Sequence, residues 1–109
     1  MKQLAAADLA ALCAGPATPV LLDVREPWEF ELAAIRIAAA DTLHIPMNEV
    51  ASRFSEIDAS RPIVCICHHG VRSAQVVAFL ERQGLATVYN LAGGIEAWST
   101  EVDAGVPRY

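Results

Sequence analysis

The chain has 109 residues, 54% of them apolar, and its formal net charge is -5 at pH 7. This length suits one domain with a single core that needs no metal or disulfide for support, and the apolar content argues against disorder. The basic residues are scattered and outnumbered by acidic ones, which argues against nucleic-acid binding. Three cysteines without framework spacing fit a reducing compartment.

The amino-terminal segment superficially resembles a signal peptide, but Asp8 interrupts its apolar region. Leu4, Leu9 and Leu12 instead suit one side of a short helix that is closed by Gly15. No apolar stretch approaches the roughly 18 residues that a membrane span needs. We therefore expect a cytoplasmic protein with no membrane partner.

Short apolar runs alternate with helical segments along the rest of the chain. Runs that are apolar throughout and separated by helices indicate a parallel sheet covered on both faces, with ligands bound outside the carboxyl ends of its strands. The predicted strands are 20–24, 42–45, 63–67 and 87–91. The predicted helices begin with a turn at 27–32, followed by a helix capped by Asn48 and running through Phe54, and by helices at 71–83 and 93–100.

Cys67 lies at the carboxyl end of a predicted strand, directly before a loop and a helix. The unpaired N–H groups that open the helix, the positive end of its dipole and the guanidinium of Arg72 all favour the nucleophilic thiolate. Cys67 is therefore the candidate nucleophile, and its alternative interpretation is a small core residue. We expect Cys65, inside the strand, to be a core residue and Cys13 to serve packing.

The neighbouring polar residues are open to more than one interpretation. His68 and His69 either contact substrate or are tolerated on an exposed turn. A metal site is not expected, because consecutive histidines rarely converge on one ion and no second ligand pair exists. Asp23 is expected to pair with Arg25 or to bond loop amides. Two aromatic residues, Trp28 and Phe30, are expected in the core.

Four motifs occur in a characteristic order: LLDVREPWEF at 21–30, Ile45-Pro46 before a helix, CHHGVR at 67–72 and GGIEAW at 93–98. With these motifs the chain resembles the rhodanese (sulfurtransferase) family over nearly its whole length. The resemblance implies one rhodanese domain over residues 1–109. It also implies an α/β fold with a five-stranded, mainly parallel sheet flanked by helices on both faces, in which Lys2 to Leu4 form a small extra strand.

The same resemblance implies a thiosulfate sulfurtransferase-like activity without a cofactor. Cys67 would take sulfane sulfur from thiosulfate or another small donor as a persulfide, and cyanide or a thiol would remove it. Successive N–H groups of the loop would cradle the persulfide, Gly70 would permit the tight curve, and Arg72 would neutralise an anionic donor. The predicted substrate-binding residues are His68, His69, Gly70, Val71, Arg72 and Ser73, with Asp23 and Arg25 as structural support.

The sequence departs from the family pattern in two places, and other functions compete. Residues 31–40 lack the family's usual Pro and Gly, and His68 replaces an Arg that often follows the cysteine. A phosphatase of similar fold has five residues between Cys and Arg, whereas this chain has four, a smaller ring that suits sulfur better than phosphate. A non-catalytic binding module usually lacks the cysteine. A persulfide carrier with a protein acceptor stays open as an alternative.

Overall fold

The computed structural model describes residues 1–109, and strands alternate with helices along nearly the whole chain. The elements are β1 (Lys2–Leu4), α1 (Ala6–Cys13), β2 (Val20–Asp23), α2 (Pro27–Leu32), β3 (Asp41–His44), α3 (Val50–Arg53), β4 (Ile63–Ile66), α4 (Val71–Arg82), β5 (Val88–Leu91) and α5 (Gly94–Glu101). Two short 3-10 turns, Met47–Glu49 and Phe54–Glu56, flank α3. None of the helices combines the length and the apolar character that crossing a membrane requires.

The five strands form one sheet in the order β1-β5-β4-β2-β3, and every neighbouring pair is parallel. This confirms the predicted α/β fold, including the small strand at Lys2–Leu4. The central strand, β4, is buried along its whole length. Cys67 follows β4 directly, so the candidate nucleophile lies at the carboxyl edge in the middle of the sheet.

The core is divided into two apolar clusters by the sheet. Side chains alternate along the buried strands, so Leu22 and Cys65 belong to one cluster and Leu21 and Val64 to the other. Cys65 and Cys13 are fully buried free thiols, as expected of packing residues. Burial raises the pKa of both thiols above the ordinary cysteine value, which makes them poor nucleophiles.

Two local predictions are wrong. Asn48 does not cap α3, because it lies inside the 3-10 turn Met47–Glu49. The N–H of Met47 binds this turn to the carbonyl of Val24. Trp28 is not a core residue: it is 61% exposed, since α2 turns Glu29 toward the interior instead. Phe30 is half-buried and stacks on His44 with ring centroids 4.5 Å apart.

Candidate active site

The thiol of Cys67 is held by two hydrogen-bond donors. Its Sγ accepts a bond of 3.0 Å from the backbone N–H of Gly70 and one of 3.2 Å from the hydroxyl of Ser73. The residue is only 1% exposed. Negative charge on this sulfur is therefore met by protein hydrogen bonds in a site largely shielded from water.

The active-site loop, residues 67–73, curves around the sulfur. Gly70 has φ 99°, a left-handed conformation that glycine adopts without strain and that allows its N–H to reach back to Cys67. The remaining N–H groups of the loop have no acceptor within the protein. They belong to His68, His69, Val71, Arg72 and Ser73. The loop therefore keeps a set of free donors next to the thiol, as an anion-binding nest does.

Asn90 holds the loop from the neighbouring strand β5. Its Nδ2 donates to the carbonyl of Gly70 and to Oε1 of Gln3, each at 3.1 Å, and its Oδ1 contacts the hydroxyl of Ser73. The single Ser73 proton thus has two acceptors, Asn90 and Cys67. Sequence reasoning missed Asn90, although a buried asparagine within the strand Val88–Leu91 is a usable signal.

Helix α5 holds the other side of the loop. The N–H of Ile95 donates to the carbonyl of Cys67 at 2.9 Å, and the N–H of Glu96 donates to the carbonyl of His68 at 3.1 Å. Gly94 makes this approach possible, because a Cβ at this position would lie 2.5 Å from the Cys67 oxygen. The close approach of α5 to the loop therefore depends on glycine at position 94.

Arg72 lies elsewhere than the sequence suggests. Its guanidinium does not stand free at the mouth of the loop but makes a two-bond ion pair with Glu29, at 2.7 and 2.9 Å. The carboxylate of Glu29 also accepts the N–H of Glu26 at 3.1 Å, within a capping box that opens α2. Chiefly because of the Arg72 hydrogen bonds, the pKa of Glu29 is lowered to about 2.

Tyr109 joins this ion pair to the wall of the site. Its hydroxyl donates to Oε2 of Glu29 at 2.7 Å and accepts from Nη1 of Arg25 at 2.9 Å. Its ring stacks on the imidazole of His68 with centroids 3.9 Å apart. Burial, the largest effect, raises the pKa of Tyr109 to about 12. No local pattern in the sequence indicates these contacts of Tyr109.

Asp23 and Arg25 form the predicted pair. Nη2 of Arg25 lies 2.6 Å from Oδ2 of Asp23, and Nε lies 2.8 Å from Oδ1. Both residues are buried, and Arg25 also donates to the carbonyls of Glu29 and Ala33. The pair therefore fixes the segment around α2, and through Tyr109 it connects to the ion pair of Arg72.

The two histidines of the loop lie stacked, with ring centroids 4.0 Å apart. Nε2 of His68 is buried without a partner, and burial is the main cause that lowers the pKa of His68. Donor atoms of His68, His69 and Glu96 lie within 4.8 Å of one another. Ligands of one tetrahedral zinc ion lie about 3.4 Å apart, so these three groups would have to converge before they held a metal.

Comparisons with known proteins place these features in context. The model of the rhodanese-like domain family matches residues 5–101. The chain is 38% identical over 81 residues to thiosulfate sulfurtransferase GlpE of Pseudomonas syringae, which covers 74% of this chain and 73% of that protein. It is 41% identical over 80 residues to a sulfurtransferase of Allochromatium vinosum, and the match covers 73% of this chain and 71% of that protein. The crystal structure of a rhodanese-related protein from Thermoplasma volcanium matches with a TM-score of 0.78 at 33% identity, over 94% of each chain.

Proposed function

The chain belongs to the rhodanese-like family, and we propose that it transfers sulfane sulfur through a persulfide on Cys67. The donor is thiosulfate or another sulfane-sulfur compound, and the acceptor is cyanide or a thiol. The observation that carries this proposal is the position of the Cys67 sulfur among inward hydrogen-bond donors and free loop N–H groups. Such a nest suits a sulfur atom that gains a second, anionic sulfur.

The transfer takes place in two balanced steps. The Cys67 thiolate attacks the outer sulfur of thiosulfate, a new S–S bond forms, and sulfite leaves with the electron pair of the broken bond. Cyanide or a thiolate then attacks the outer sulfur of the persulfide, and the Cys67 thiolate is the leaving group. Charge is conserved in both steps, and no oxidant or cofactor is consumed.

The other predicted site residues have specific roles in this scheme. His68, His69, Gly70, Val71 and Ser73 bind the persulfide chiefly through backbone N–H groups, and the Ser73 hydroxyl adds a side-chain bond. Asp23 and Arg25 support the loop at a distance, through the buried contacts of α2. A persulfide carrier that delivers its sulfur to a protein shares every one of these features, and differs only in the acceptor.

Intact-mass spectrometry with thiosulfate as donor tests the proposal. The wild-type protein should gain the mass of one sulfur atom, lose it on addition of cyanide, and release thiocyanate over many turnovers. Cys67→Ser should abolish all three, since a hydroxyl forms no persulfide. The matched controls Cys65→Ser and Cys13→Ser should still turn over, with stability measured beside activity because each buries a hydroxyl. Sulfur loading that survives Cys67→Ser, or that vanishes only in folded Cys65→Ser, would overturn the assignment.

The acceptor decides between the enzyme and the carrier. Persulfidated wild-type protein should transfer its sulfur to cyanide and to small thiols if it is a sulfurtransferase of small molecules. Loss of the sulfur only to a protein thiol would support the carrier instead.

A further inference from the structure

We propose that Glu29 sets the donor specificity of this site. By pairing with Arg72 it leaves the mouth of the active-site loop without a free cation, and so favours a neutral organic hydropersulfide, R–S–S–H, over the thiosulfate dianion. The inference rests on the proposed sulfur transfer through Cys67 and names the class of donor for that reaction.

The ion pair is firmly held. The side chain of Glu29 is only 4% exposed, and each of its carboxylate oxygens receives one bond from Arg72. The N–H of Glu26 and the hydroxyl of Tyr109 donate to the same carboxylate. Because four donors fix the carboxylate, Arg72 would have to leave a well-satisfied partner in order to meet a hydrated anion.

The other charges around the loop are paired as well. Arg25 binds Asp23 at 2.6 Å, and Arg108 binds Glu96 at 2.7 Å. The lowered pKa of His68 keeps its imidazole neutral at pH 7. These three ion pairs, including that of Arg72 with Glu29, carry no net charge. Backbone N–H groups and the Ser73 hydroxyl are the uncommitted donors that the loop offers to a negative charge.

The two classes of donor differ in the charge that they bring to the thiolate. Thiosulfate brings two negative charges to the negative sulfur of Cys67. The donor and the thiolate repel each other, and only a nearby cation offsets this repulsion. A hydropersulfide is neutral when its outer sulfur is attacked. The new bond joins Sγ of Cys67 to that sulfur, R–S⁻ leaves with the electron pair of the old S–S bond, and the proton stays on the transferred sulfur. A neutral mouth suits the second reaction.

The surface beside the ion pair points to an organic donor too. Each member of the pair directly follows an exposed apolar residue: Trp28 is 61% exposed and Val71 is 69% exposed. The Trp28 ring lies edge-on to the ring of Tyr109, which in turn stacks on His68. Apolar surface at this place contacts the R group of an organic hydropersulfide and offers nothing to inorganic thiosulfate.

The test measures how fast each donor loads Cys67 in a single turnover, by intact mass, at several salt concentrations. The donors are thiosulfate and the hydropersulfide of 2-mercaptoethanol, whose R group is uncharged. Glu29→Gln keeps the shape of the side chain but removes the charge that neutralises Arg72. We expect thiosulfate loading to rise about tenfold or more relative to hydropersulfide loading. It should also become sensitive to salt, since a free cation is screened. Taking the ratio of the two donors cancels their different intrinsic reactivity.

The matched control is Glu56→Gln, which removes one of the two carboxylates that pair with Arg53 on the exposed surface and should leave the donor ratio unchanged. If Glu29→Gln does not fold, Glu29→Asp provides a second variant, because its shorter carboxylate cannot hold both guanidinium nitrogens equally well; it should shift the ratio in the same direction. A persulfidated peptide as third donor separates a protein source of the hydropersulfide from a small thiol. Thiosulfate loading should also rise relative to loading by this peptide in Glu29→Gln.

The outcomes separate the two proposals. An unchanged donor ratio in folded Glu29→Gln, or steep salt inhibition of thiosulfate loading in the wild type, would refute the donor inference while sulfur transfer through Cys67 stands. Failure of both donors to load the wild-type protein would instead refute the proposed function itself.

Discussion

The hydroxyl of Tyr109 donates a 2.7 Å hydrogen bond to the carboxylate of Glu29, which lies 80 positions earlier in the chain. The same carboxylate binds Arg72, and the same hydroxyl accepts a bond from Arg25. Tyr109 therefore links two arginines that come from different sides of the site. This connection is the source of the first prediction.

Tyr109→Phe should lower the free energy of unfolding by about 1–2 kcal/mol. The substitution keeps the ring that stacks on His68 but removes the hydroxyl that serves both Glu29 and Arg25. Urea unfolding followed by circular dichroism measures the change. The matched control is Tyr89→Phe, whose hydroxyl makes no hydrogen bond within the protein and which should change stability by less than about 0.5 kcal/mol. Equal effects of the two substitutions would show that the Tyr109 hydroxyl bonds contribute nothing.

Glu29 should make the protein sensitive to acid. Its pKa is about 2 in the folded protein against 4.5 for an ordinary glutamate, so the folded state favours the ionised form. The resulting stabilisation is complete above pH 4.5 and is lost as the pH falls toward 2, by at most about 3 kcal/mol. Unfolding free energies measured at intervals over this range should fall more steeply for the wild type than for Glu29→Gln. Parallel curves would contradict the prediction.

The lowered pKa of His68 adds a second acid-sensitive contribution. Because the folded protein disfavours the imidazolium, this stabilisation is present above pH 6.5 and falls as the pH drops below that value. The charge of Glu29 acts to raise the pKa of His68, so wild type and Glu29→Gln do not share this contribution in full. Their curves are therefore compared between pH 4.5 and pH 2, where Glu29 itself titrates.

Gly94→Ala should destroy the active-site loop, whereas Gly84→Ala should be far milder. Both glycines have positive φ, at 63° and 94°, and alanine is strained there by about 1–2 kcal/mol. Only at Gly94 does the new Cβ also meet the backbone of Cys67 and His68. We expect Gly94→Ala to lose at least about 3 kcal/mol of stability and most sulfur loading of Cys67. Similar thermal unfolding and loading in both variants would argue against a close approach of α5.

The strand, loop and helix around Cys67 are readable in the sequence because each has a local signal. An apolar run predicts the strand, Gly70 predicts the tight curve, and the spacing of apolar residues from Val71 onward predicts the helix. The predicted strand ends at Cys67, one residue beyond β4, and the predicted helix ends at Gln83, one residue beyond α4. Local patterns thus predict the position of the candidate nucleophile.

The partner of Arg72 is not readable in the same way. Helix α2 has two turns at most, and whether it turns Trp28 or Glu29 inward depends on what packs against it. The prediction placed the apolar residue inside. In the structure, the guanidiniums of Arg25 and Arg72 lie beneath the helix, where Arg72 pairs with the carboxylate of Glu29 and Arg25 donates to its carbonyl. A contact between residues 43 positions apart leaves no periodic trace in the sequence.

The bonds from α5 to the carbonyls of Cys67 and His68 have a consequence for the polarity of the loop. A peptide group points its C=O and its N–H in opposite directions. Once the N–H groups of Ile95 and Glu96 hold these two oxygens on the α5 side, the amides of His68 and His69 present their positive ends on the other side. The helix thereby orients two peptide dipoles of the active-site loop without touching the sulfur. A segment almost thirty residues downstream thus helps to determine which sign of charge that loop attracts.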